Sequence, residues 1–132
     1  MRLVLDTSGA IGIVMRSPGW EALEKAVREA EWVEAPDLLI AEATNVCWKY
    51  HKHGNLSLDT CEKALEQAIA LPDEFVPTAG LYREAFALAA AGQRPAYAMF
   101  FLALARRNNA TLVSLDKGLL AFAAKHDVKT LV

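Results

Sequence analysis

Short apolar runs alternate with helical segments along this chain, and no tight hairpin turn lies between any two of them. Strands that never meet through a tight turn are joined by crossovers, and crossovers build parallel sheets covered by helices on both faces. Five runs read as strands: Arg2–Leu5, Trp32–Ala35, Glu74–Pro77, Thr111–Leu115 and Val128–Val132. The first and fourth are the most apolar, so they should be central. A short helix capped by Thr7 or Ser8 should run through Met15, and a second from Trp20 to Ala30 with Pro18 at its start. Pro36-Asp37 opens a long helix to about His53, ended by Gly54-Asn55. Ser57 and Asp59 begin another, with Glu62 placed for a capping interaction, and Pro72 stops it after Leu71. Thr78 should cap a helix through Ala91 that Gly92 ends; Pro95 begins one to about Asn108; Lys117–Lys125 is the last. The expected fold is α/β: a three-layer α/β/α sandwich around a central parallel sheet of four or five strands, one domain over residues 1–132.

Three carboxylates fall at the ends of apolar segments or inside them. Asp6 closes the first strand, Asp116 follows the fourth, and Glu42 interrupts the apolar helix at Leu38–Ala43. Ligands of open parallel sheets bind beyond the carboxyl ends of the strands, where Asp6 and Asp116 both lie. Each acid also has an ordinary reading. Asp6 and Asp116 suit loop or helix-cap positions, and Glu42 could be a solvated charge on a partly covered helix. A buried carboxylate is costly unless paired, and a divalent metal is a common partner.

Hydrophobic residues make up 54% of the chain, enough to cover both faces of a sheet and to exclude disorder. The formal charge of −2 gives no global field for nucleic acid, although a local basic rim can serve. Cys47 and Cys61 are too few and too far apart for a zinc motif or a disulfide framework, and read as buried thiols in a reducing cytoplasm. The apolar run at the start is too short for a signal peptide. The most apolar stretch, Ala96–Ala105, would span about 15 Å as a helix, half a bilayer core, and so reads as a buried helix rather than a membrane span.

Four blocks in order carry a resemblance: Leu3-Val4-Leu5-Asp6-Thr7-Ser8, Glu42-Ala43-Thr44-Asn45-Val46, Pro95 through Ala105, and Leu112-Val113-Ser114-Leu115-Asp116. Together they resemble the PIN domain family, most closely the small VapC-like toxins of toxin–antitoxin pairs. The resemblance implies an endoribonuclease dependent on Mg²⁺ or Mn²⁺, with Asp6, Glu42 and Asp116 as metal ligands and catalytic acids. It implies Ser8 and Ser114 as partners of a carboxylate or of metal-bound water, and Asn45 as a residue that orients Glu42. A homodimer and an antitoxin partner, whose tail would place an arginine among the acids, are implied too. A further acid normally follows the tyrosine that matches Tyr97, and here that place is Ala98. Asp37 and Glu84 would compensate only if folding brought them close.

The alternative is a catalytically silenced PIN-like module that binds RNA or an antitoxin. A third reading, phosphoryl chemistry at Asp6, fits poorly: a phosphoaspartate hydrolase would want a second Asp where Ser8 stands, and a receiver domain would want an acidic pair. His51, His53, Lys49 and Lys52 complement the C-terminal end of the long helix. Lys49, Arg94 and Lys117 read first as solvated surface and second as RNA contacts, as do Arg106 and Arg107; His126 reads as surface. Trp20, Trp32, Trp48, Phe100 and Phe101 read as core or interface.

Overall fold

A computed structural model describes residues 1–131. Five parallel strands form one sheet: β1 (Arg2–Leu5), β2 (Trp32–Pro36), β3 (Glu74–Val76), β4 (Thr111–Val113) and β5 (Thr130–Leu131). Their order is β3-β2-β1-β4-β5, so β1 is the middle strand and β4 lies directly beside it, as their apolarity predicted. Leu3, Val4 and Leu5 pair with Thr111, Leu112 and Val113. The same residues of β1 and β4 are almost fully buried, which is what helices on both faces of a parallel sheet require.

Among the described residues, seven α-helices fill the outer layers: α1 (Thr7–Val14), α2 (Trp20–Glu29), α3 (Leu38–His53), α4 (Leu58–Ala70), α5 (Tyr82–Gly92), α6 (Ala96–Asn108) and α7 (Lys117–Lys125). α7 has the bounds expected for it. α6 is the central buried helix: Met99 and Phe101 through Ala105 are enclosed. No helix among the described residues is long and apolar enough to cross a membrane.

Several local expectations need correction. The cap of α1 is Asp6, whose carboxylate accepts from Gly9 N, and not Thr7 or Ser8. Ser57 caps α4 by accepting from Thr60 N, while Glu62 lies beyond the first turn. Thr78–Gly80 forms a separate 3-10 turn, and α5 starts only at Tyr82. The terminal strand is reduced to Thr130–Leu131, with Val132 outside the described residues. Trp48 is 52% exposed and Trp32 38% exposed, so neither belongs to the core; Phe101 does.

A buried charge at Glu34 escaped the sequence reading altogether. It lies inside β2 and is almost wholly enclosed. Asn108 Nδ2 donates to its Oε1 at 2.7 Å and Arg2 Nη2 to its Oε2 at 3.3 Å. These contacts tie the start of β1 and the end of α6 to β2. Removing one partner of a buried carboxylate leaves a desolvated acceptor, so Asn108→Ala is expected to cost about 1–3 kcal/mol in urea denaturation.

Candidate active site

The sheet's carboxyl edge brings the three acids to one cavity. Asp6, Glu42 and Asp116 line it with Thr7, Ser8, Pro95, Tyr97, Ala98, Phe101 and Leu119; its volume is about 260 Å³. Each acid is placed by a short element. Asp6 ends the middle strand and caps α1. Asp116 follows β4 and caps α7, its Oδ1 accepting from Leu119 N at 3.1 Å. Glu42 sits in the first half of α3. The capping roles and the shared cavity are therefore not alternatives: a cap aims its carboxylate at the mouth of the sheet, near the positive end of a helix.

A hydroxyl network holds the acids. Ser8 Oγ donates to Asp6 Oδ1 at 2.9 Å, beside the 2.8 Å bond from Gly9 N. Ser114 Oγ donates to Asp6 Oδ2 at 2.6 Å and accepts from Asp116 N at 2.9 Å. Ser114 thus couples the strand-end acids. Thr7 Oγ1 donates to Glu42 Oε1 at 2.6 Å. Thr7 rather than Asn45 is the partner of Glu42, because Asn45 lies exposed one turn further along α3. The adjacency of Thr7 to Asp6 was the one available signal, and it does not show that α3 crosses that point.

Burial pushes the Asp6 carboxyl up from 3.8 to about 6; hydrogen bonds from Ser114, Gly9 and Ser8 oppose the rise, and the negative charge of Asp116 adds to it. An enclosed carboxylate at this level calls for positive charge nearby.

The donor chemistry fits a hard divalent cation, since carboxylates and hydroxyls supply only oxygen. Among the described residues, however, no group of three His, Cys, Asp or Glu side chains could hold a metal ion. An ion held by these acids would therefore have to keep part of its water shell, as Mg²⁺ commonly does.

Ala98 stands on the cavity wall in the first turn of α6. Among the described residues no further acid lines the cavity to replace it. Asp37 Oδ1 accepts from Thr78 N, and Glu84 faces Arg106 and Arg107 at 3.9 and 4.0 Å. Of the basic residues, Lys49 and Lys117 are exposed and Arg94 is half-buried. A larger cavity of about 410 Å³ shares Thr7, Ser8 and Glu42 with the acid cavity and extends along Ile11, Val46 and Tyr50.

The sequence profile of the PIN domain matches residues 3–125. The chain belongs to the PIN domain family. It is similar to Ribonuclease VapC3 of Pyrobaculum aerophilum, 30% identical over 125 residues, covering 90% of this chain and 92% of the relative. Its fold matches the crystal structure of PAE2754 from the same organism, with a TM-score of 0.73, 20% identity, and coverage of 92% and 87% of the two chains. It also matches VapBC2 from Rickettsia felis, bound there to a DNA fragment from its promoter, with a TM-score of 0.69, 14% identity, and coverage of 99% and 98%. The PIN domain resemblance read from the four sequence blocks is thus established, as is the parallel α/β sheet.

Proposed function

We propose that this PIN domain is a metal-dependent endoribonuclease and the toxin of a toxin–antitoxin pair. The observation that carries the reading is the convergence of Asp6, Glu42 and Asp116 on one cavity at the sheet's carboxyl edge. The relative named Ribonuclease VapC3 supports the substrate class. A divalent ion, Mg²⁺ or Mn²⁺, would supply charge for the phosphate and a lowered pKa for the attacking water. Asp6, Glu42 and Asp116 would hold that ion, at least in part through retained water. Ser114 and Ser8 fix both oxygens of Asp6, and Thr7 fixes Glu42, so the acids are positioned before substrate arrives. Lys49, Arg94 and Lys117 are the basic residues we assign to the RNA backbone.

Raised proton affinity at Asp6 gives a test. Below about pH 6 the proton competes with the cation for this carboxylate. Calorimetric Mn²⁺ affinity is therefore expected to strengthen as pH rises from 5 to 7 and to level off above, with proton release shrinking over the same window. A flat profile would remove Asp6 from the ion's ligands.

An antitoxin tail would enter the larger adjoining cavity, which shares Thr7, Ser8 and Glu42 with the acid cavity, and place an arginine among the acids. Tyr82 and Phe86, exposed one turn apart on α5, support a homodimer. Ala98 on the cavity wall favours one other reading: a silenced PIN-like module that keeps RNA or antitoxin binding without cleavage.

A further inference from the structure

Arg94 lies in the link between α5 and α6, next to the Pro95 that walls the acid cavity. Its guanidinium rests over the Phe122 ring, 5.3 Å from the centroid. That ring is itself held in place. His126 packs 4.3 Å away, and Gly92 lies so close that a Cβ there would meet Phe122 at 2.5 Å.

The guanidinium also borders Gly118. A Cβ on Gly118 would be 3.2 Å from Arg94 Nη2 and 3.3 Å from Asp116 Oδ1. The missing side chain therefore lets a cation and a site carboxylate close in on the same glycine, where a Cβ would already be crowded. Among the described residues Arg94 takes part in no ion pair within 4.0 Å, whereas Arg106 and Arg107 both turn to Glu84. An arginine parked on an aromatic face keeps its charge and most of its fork of donors available.

We propose that Arg94 is a catalytic residue, its guanidinium gripping a non-bridging oxygen of the scissile phosphate on the Asp116 side of the acid cavity. The proposal rests on the ribonuclease reading above. It also addresses Ala98: a cavity short of one acid holds a second cation poorly, and a fixed guanidinium supplies positive charge to the phosphate without needing that acid. Arginine suits this role because its planar fork matches phosphate oxygens two at a time.

The test compares the chain with Arg94→Ala, Arg94→Lys and Gly118→Ala. Mn²⁺-dependent cleavage and binding of single-stranded RNA are measured together with Mn²⁺ affinity in the absence of RNA. Arg94→Ala is expected to lower kcat about 100-fold, the scale of losing one transition-state donor. Mn²⁺ affinity should hold or tighten, and millimolar guanidinium should restore part of the rate. Arg94→Lys should recover little. Gly118→Ala should slow the parent chain but not the Arg94→Ala variant, because its Cβ acts by displacing the guanidinium.

Full-rate cleavage by Arg94→Ala would overturn the proposal alone. So would a loss of rate matched by a loss of Mn²⁺ affinity and not rescued by guanidinium, which would make Arg94 a support for Asp116. If the parent chain neither binds nor cleaves RNA with either ion, the ribonuclease reading falls and this proposal with it.

Discussion

Replacing Asp6 with Asn is expected to abolish RNA cleavage and to make the protein more stable at pH 7. The two effects have one cause. Asp6 is 5% exposed and its carboxyl is pushed up to about 6, so keeping it ionised works against the fold. The rise of roughly two units corresponds to about 3 kcal/mol between neutral and charged forms. Asn can keep the Gly9 cap bond but must rearrange its contact with Ser114, so a net gain of about 1–2 kcal/mol is expected. The sign follows from proton counting. Between about pH 4 and 6 the folded Asp6 holds more proton than the unfolded chain, so its contribution to stability falls as pH rises through that window. The advantage of the Asn variant in urea denaturation should therefore be full above pH 6 and vanish near pH 4. Loss of stability at pH 7 would show that Asp6 is a structural acid.

Ala98→Asp is expected to raise metal-dependent cleavage by at least tenfold and to tighten Mn²⁺ binding. Position 98 is in the first turn of α6, which contains no acidic residue, and it faces the cavity lined by Asp6, Glu42 and Asp116. A fourth carboxylate adds a ligand on the wall that now lacks one, strengthening the hold on a second ion. The metal-free protein should lose stability. Two carboxylates about 4 Å apart repel by about 4 kcal/mol at an intermediate dielectric, against about 0.3–1 kcal/mol regained at the helix N-terminus. Part of the repulsion disappears as Asp6 takes up its proton, and saturating Mn²⁺ should reverse the sign of the whole effect. Thermal denaturation with and without Mn²⁺ measures this directly. An Ala98→Asp chain with unchanged metal affinity and unchanged cleavage would mean that the cavity is not where the chemistry occurs.

The fold was legible because its signals are local. Leu3-Val4-Leu5 and Thr111-Leu112-Val113 are buried on both faces, as a parallel sheet covered by helices requires. Asp6 and Asp116 could be placed because each lies just past the carboxyl end of a strand, although β4 ends at Val113 rather than at the expected Leu115. Glu42 was harder, since its position depends on how α3 crosses the sheet, and the Thr7 bond to it was invisible for that reason. Glu34 shows the same limit more strongly. Its partners Arg2 and Asn108 are distant in sequence, so nothing local marks it as the buried charge of the core. The shelf under Arg94 depends on Gly92, Phe122 and His126 meeting across two helices. Helix starts were misplaced where Thr78 offered a cap, because the chain makes a 3-10 turn before α5 begins.

Whether Asp6, Glu42 and Asp116 make an ion-dependent ribonuclease is decided by cleavage of a mixed set of structured and single-stranded RNAs with Mg²⁺, with Mn²⁺ and with chelator. The chain would be run beside Asp6→Asn and Ala98→Asp. Cleavage that needs the ion, disappears in Asp6→Asn and increases in Ala98→Asp is the predicted result. Cleavage that survives chelator or the Asp6→Asn change, or no cleavage by any of the three chains, would contradict it.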